Sequence, residues 1–189
     1  MSADVALGGD ETVVGSFTVD GLTYAVNNGK AALVAVSSDL QQVTNSQDAD
    51  DSRVAPMLAS GQVAIPASVT YGGVAYDVAS VGPYAFYLSG ATSVELPASV
   101  ASVDSRAFRS SDVERVEVSA DNPNLASFDG ALYSADQTSL LLIPEGRTGA
   151  VRIPSHATLV DPPAFSHCAG VDAIVVDADC SHLSSENGL

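Results

Sequence analysis

The sequence predicts a mainly β solenoid, in which short strands belong to coils stacked along one axis. Val94–Phe108 (VELPASVASVDSRAF) recurs without a gap as Val151–Phe165 (VRIPSHATLVDPPAF), with valine, proline, valine, aspartate, alanine and phenylalanine in the same places. Upstream, Val78–Phe86 (VASVGPYAF) matches Val100–Phe108 at six of nine positions. The residue opening each candidate strand returns after 22 residues from Val94 to Val116 and after 23 from Val151 to Ile174. Self-similarity at a period of about 20–50 residues marks units that cannot bury their apolar face alone and must stack.

Bulk composition agrees with a folded chain and narrows its partners. Its 189 residues suffice for one domain or one stacked array, and apolar residues make up 46% against 16% charged. The net charge of −16 sets 23 acids against 7 bases, with Lys30 the only lysine. Such a balance repels phosphate backbones and anionic bilayers, so neither nucleic-acid binding nor membrane docking is expected. No apolar run approaches the roughly 20 residues that cross a bilayer. Met1-Ser2-Ala3-Asp4 lacks the basic and apolar regions of a secretory leader, which leaves a cytoplasmic protein or one whose leader was removed. Two cysteines, Cys168 and Cys180, are too few for a disulfide framework.

Taken in order, residues 1–15 read as an acidic lead-in. Ser16–Val26 (SFTVDGLTYAV) is a hairpin centred on Asp20-Gly21, a pair suited to a type I′ turn. Ala31–Val36 adds a strand that closes a small meander, and residues 37–59 lose periodicity and read as a surface loop or linker. Repeats begin at Gln62. The 31-residue step from Val63 to Val94 returns to 22 when the nine residues Thr70–Val78 are set aside as an insertion. The 35-residue step from Val116 to Val151 needs 13 extra residues, placed within Pro123–Ile143, where Asp129-Gly130 marks another hairpin. Both insertions are expected to bud from the stack as hairpins.

Within a repeat, apolar–x–apolar points two side chains inward and the middle one outward. Proline follows and ends the strand, because it cannot donate to the ladder. A second apolar pair comes next, Val100 with Val103 or Ala157 with Val160, and then a turn into Ala-Phe. Phe86, Phe108 and Phe165 are expected to stack as a ladder between coils.

These residues resemble the BspA-like leucine-rich repeats of bacterial surface proteins, whose repeat runs roughly I-x-I-P-x-S-V-x-x-I-x-x-x-A-F-x-x-C. Val94-Glu95-Leu96-Pro97-Ala98-Ser99-Val100, Val103 and Ala107-Phe108 carry the match. So do Val63 to Val69 with Ala85-Phe86, and Ile153-Pro154 with Ala164-Phe165 and Cys168. The repeat opening at Val116 departs from it, lacking both the proline and the Ala-Phe, and Ser89 and Ser111 stand where the family has cysteine. No cell-wall sorting motif is present. The resemblance implies a leucine-rich-repeat solenoid of right-handed stacked coils with β-hairpin insertions, occupying residues 61–189. A small N-terminal β-hairpin or meander and acidic linker, residues 1–60, precede it. It further implies a secreted or surface-displayed, non-enzymatic bacterial module adhering to proteins or glycans of a host or neighbouring cell. A structural spacer in a larger surface protein is the main alternative, and a hydrolase a remote one.

Site chemistry is sparse. No nucleophile elbow frames the serines, and His156, His167 and His182 are far apart in sequence. His167, Cys168, Cys180 and His182 have zinc-ligand chemistry but match no usual finger spacing. Cys168 reads instead as a small buried residue at the repeat's turn, and a Cys168–Cys180 disulfide would need Cα atoms within about 7 Å. Asp48, Asp50 and Asp51 lack the glycine and distal glutamate of a calcium loop. No cofactor, metal or catalytic residue is therefore assigned. The functional expectation comes from alternation: with Val63/Ile65, Val94/Leu96, Val116/Val118, Val151/Ile153 and Ile174/Val176 inward, the outward row is Ala64, Glu95, Glu117, Arg152 and Val175. Gln62, Ser93, Arg115 and Ala150 would widen it, forming the extended face on which solenoids commonly bind.

Overall fold

Alternation and turn chemistry together determine the strands, and the repeat determines which strands meet. A computed structural model describes residues 15–27, 29–35, 60–176 and 184–185. The N-terminal meander is β1 (Gly15–Val19), β2 (Leu22–Asn27) and β3 (Lys30–Ala35), antiparallel throughout. Its first turn is Asp20-Gly21, both at positive φ (50° and 79°) as a type I′ turn requires. Next come β4 (Ser60–Ala64) and a hairpin of β5 (Ser68–Tyr71) and β6 (Val74–Val81) around Gly72-Gly73. After β7 (Gly90–Leu96), β8 (Ser102–Val103) and β9 (Arg115–Val118) comes the second hairpin, β10 (Leu125–Phe128) and β11 (Ala131–Ser134). The described residues end with β12 (Ser139–Leu142), β13 (Gly149–Ile153), β14 (Leu159–Val160), a 3-10 turn at Pro162–Phe165, β15 (Val171–Val176) and β16 (Ser184–Ser185).

Two sets of parallel ladders define the solenoid. On the face, β4, β7 and β9 pair in parallel, with Val63 opposite Val94 and Val94 opposite Val116. Further along, β13 pairs with β15, with Val151 opposite Ile174. The sequence period is thus the pairing register. On the back, β6 pairs with β8, and β12, β14 and β16 form a second parallel run. The meander joins this back layer, because β3 lies parallel to β6. Glycines at one repeat position, Gly61 and Gly149, both have φ of 75° and sit where the face register shifts. A residue at positive φ inside a bulge is where glycine is least costly.

The second hairpin does not bud from the stack, contrary to expectation. The face ladder breaks between β9 and β13 and the back ladder between β8 and β12, so the coil of residues 115–142 gives its face strand to one run and its back strand to the next. The hairpin fills the step. Ala131, Leu132 and Tyr133 are all buried, and alternation sends them to different places. Leu132 joins the core of Phe86, Val94, Phe108 and Val116, whereas Ala131 and Tyr133 join that of Leu140, Val151, Ile153 and Val160. An apolar strand buried on both sides cannot leave the stack without exposing one of them.

Two other expectations are corrected. Phe86 and Phe108 stack with ring centroids 5.1 Å apart, but Phe165 is only partly buried and packs in the second core. Residues Leu142 and Ile143 stand between the two aromatic turns. Ile174 and Val176, expected inward, are 45% and 41% exposed, because β15 has only β13 as a neighbour in its sheet among the described residues. The remaining inward residues of the face strands are buried or, for Val118, partly so.

Corners are closed by side chains. Asn122 is buried and fully satisfied: its Nδ2 donates to the carbonyls of Pro97 (2.9 Å) and Val100 (2.8 Å), and its Oδ1 accepts the N–H groups of Asn124 (2.8 Å) and Leu125 (2.9 Å). Ser99 donates to Ala67 O at 3.0 Å, linking consecutive Pro-x-Ser corners. Ser111, at the family's cysteine position, donates to Phe108 O at 2.7 Å, and Cys168 points its thiol at Ile143 O, 3.6 Å away. Ser111 and Cys168 thus cap carbonyls at this turn, but Cys168 is only half-buried, contrary to expectation. The equivalent Ser89 is buried with no partner for its hydroxyl among the described residues.

Candidate functional site: the parallel strand face

Register brings the first three residues of the predicted row together. Ala64 lies opposite Glu95, and Glu95 opposite Glu117, across β4, β7 and β9. Ala64 and Glu117 are exposed, and Glu95 on the central strand is half-buried. Their neighbours Ile65, Leu96, Pro97, Val118 and Ser119 complete a shallow groove of about 340 Å³ at the strands' C-terminal ends. Gln62 donates its Nε2 to Oε1 of Glu95 and so orients that carboxylate. Two carboxylates directly opposite on adjacent strands repel. A partner bringing a cation or N–H donors relieves that repulsion.

The last two residues of the row sit on the other ladder. Arg152 lies opposite Val175 across β13 and β15, and both are exposed. Between the two ladders stands the Asp129-Gly130 turn of the second hairpin. Gly130 O accepts the Val116 N–H at 2.9 Å, while Asp129 Oδ2 accepts the Arg152 N–H at 2.8 Å. The same Oδ2 takes Nη2 of Arg147 at 3.1 Å. The turn therefore supplies to each ladder the bonds that the missing strand would have made. A Cβ at Gly130 would fall 2.7 Å from Cβ of Arg115, so only glycine fits at positive φ there. Of the flanking residues, Gln62, Arg115 and Ala150 are exposed; Ser93 is buried, lying between its longer partners Gln62 and Arg115. Sequence reasoning missed the groove-forming Pro97 and Ser119, although the proline after the Val94 strand was the signal for that edge.

Cys180, His182 and Asp48 to Asp51 lie outside the described residues, and with them the zinc, disulfide and calcium readings. Among the described residues, no group of three or more His, Cys, Asp or Glu is placed to hold a metal. His156 and His167 are exposed and make no side-chain hydrogen bond to a serine or aspartate among the described residues. Burial, followed by the Glu145 charge, pushes the Cys168 thiol above its ordinary range. None of the described helices is long and apolar enough to cross a membrane.

No protein-family model and no curated protein matches the sequence. Among solved structures the chain is similar to a leucine-rich repeat protein from Eubacterium ventriosum, at 23% identity over 66% of this chain and 31% of that one, with a TM-score of 0.49. It is similar also to one from Bacteroides capillosus, at 20% identity over 86% of this chain and 98% of that one, with a TM-score of 0.48. A third is a leucine-rich cell surface protein from Faecalibacterium prausnitzii, at 16% identity over 87% and 43% of the two chains, with a TM-score of 0.45. The chain spans about a third of the length of the Eubacterium ventriosum protein.

Proposed function

We propose that this chain is a non-enzymatic binding module of a secreted or surface-displayed bacterial protein, adhering to a protein or glycan of a host or neighbouring cell. Its binding surface is the parallel strand face, with Ala64, Glu95 and Glu117 at the centre and Arg152 and Val175 on the adjoining ladder. The observation that carries this reading is the in-register pair Glu95 and Glu117 above a groove on three parallel strands. Two glutamates at one repeat position on adjacent strands suit a partner presenting basic or hydrogen-bond-donating groups at strand spacing, roughly 4.8 Å. The surface location and the adhesive role rest on the repeat's resemblance to bacterial surface proteins.

Pull-down on a panel of immobilised extracellular-matrix proteins and glycans tests the proposal. Wild type is expected to be retained by at least one of them, and Glu95→Lys/Glu117→Lys to be released at lower salt. Equal retention of the two would remove this face from the binding surface. Retention by none would favour a spacer role.

A further inference from the structure

The coil of residues 115–142 lacks the Ala-Phe turn of its neighbours, and the vacancy has consequences on the side away from the strand face. Where the turn is present, consecutive turns bond directly: Tyr84, Phe86 and Leu88 donate their N–H groups to the carbonyls of Arg106, Ala107 and Ser110. On its other side the Arg106–Ser110 turn meets no equivalent among the described residues. Residues 142–145 pass there instead, tied by Ile143 N–H to Ala164 O at 3.1 Å and by Ser110 N–H to Glu145 Oε2 at 2.8 Å. The result is a notch of about 230 Å³ between the Ala107-Phe108 turn and the Ala164-Phe165 turn.

Its lining inverts the character of the molecule. Among the described residues, Arg106, Arg109 and His167 line it with a single acid, Glu145, in a chain of net charge −16. Arg106 is committed, its Nε 3.1 Å from Asp104 and its guanidinium 5.6 Å over the Tyr84 ring. Arg109 is not: among the described residues its guanidinium has no hydrogen bond or ion pair. Glu145 has one oxygen occupied by Ser110, which leaves Oε1 as a free acceptor among the described residues. Ser105 and Ser166 bring hydroxyls, and Pro163 an exposed apolar ring.

We propose that this notch binds a single acidic sugar residue. An uncommitted guanidinium in a concave site is suited to bidentate recognition of a carboxylate. A bare carboxylate would leave Glu145 repelling it, whereas a carboxylated sugar also carries hydroxyls that donate to Oε1. The volume lies just below the roughly 300 Å³ at which drug-sized ligands begin, which suits one sugar residue. The site is separate from the strand face and does not depend on it.

Titration of the ¹⁵N-labelled protein with N-acetylneuraminic acid and with D-glucuronic acid tests the assignment. Saturable shifts are expected at residues 105–110, 143–147 and 163–167, with Kd in the millimolar range. Arg109→Gln is expected to weaken binding about 10-fold, whereas Glu95→Lys/Glu117→Lys leaves it unchanged. N-acetylglucosamine tests the need for charge, and N-acetylglutamate the need for hydroxyls. Equal shifts with either control, shifts elsewhere only, or none with the acidic sugars would overturn the proposal, as would full affinity in Arg109→Gln. Since the mapping is done on the wild type, it stands even if that variant folds poorly.

Discussion

Oδ2 of Asp129 accepts the backbone N–H of Arg152 at 2.8 Å, from 23 residues away in sequence. That bond, with the Val116 N–H to Gly130 O bond, splices two parallel ladders across a coil that belongs to both. A hydrogen bond to a charged acceptor contributes about 1.5–3 kcal/mol. Asp129→Ala is expected to cost about 2–3 kcal/mol in urea unfolding, because it removes this bond and the Arg147 partner together. Asp129→Asn keeps a side-chain acceptor and tolerance of positive φ, so its cost should be about 1 kcal/mol.

The aromatic turns make a graded prediction. Phe108 is buried against Phe86, and its replacement by alanine should cost about 3–5 kcal/mol. Phe165 is only partly buried, and Phe165→Ala should cost about half as much or less. Equal costs would mean that Phe165 continues the ladder after all.

Much of this architecture was legible in the sequence. Valine spacing gave the face register, since Val94 to Val116 is both the repeat step and a ladder pair. The pairs Asp20-Gly21 and Asp129-Gly130 gave the turns. The splice was not legible, because Ala131-Leu132-Tyr133 reads as a buried strand without saying that its two sides serve different cores. Nor was the parallel pairing of β3 with β6, which joins segments far apart in sequence and depends on no local signal. Gly61 and Gly149 did carry a signal, both standing two residues before the strand-opening valine. Of the candidate row, register united Ala64, Glu95 and Glu117. Arg152 and Val175 fell on the second ladder because the insertion interrupts the face.

Asn122 should be among the least replaceable polar residues. It satisfies two carbonyls and two N–H groups from a buried position at a corner. Asn122→Ala leaves those groups unpaired, and a loss of about 2–4 kcal/mol is expected by thermal or chemical denaturation. Asn122→Asp restores only the acceptor role and should recover less than half of that loss.

Acid titration should single out Asp136. Hydrogen bonds from the Ser134 hydroxyl, the Thr138 N–H and the Thr138 hydroxyl pull its pKa from 3.8 down to about 2. A carboxylate depressed on folding stabilises the fold above its unfolded pKa, and the contribution disappears as pH falls through the folded value. The β11–β12 turn should therefore loosen between about pH 4 and pH 2. Asp136→Asn should abolish that dependence, as read from the Thr138 amide by NMR.

On the proposed function, a partner sits on the parallel strand face. Hydrogen–deuterium exchange of the free protein and of its complex with a ligand captured by pull-down tests this most directly. Slowed exchange is expected in Ser60–Ala64, Gly90–Leu96 and Arg115–Val118, with the effect lost in Glu95→Lys/Glu117→Lys. Slowed exchange confined to the meander or to the Ala-Phe turns, with these three strands unchanged, would contradict it.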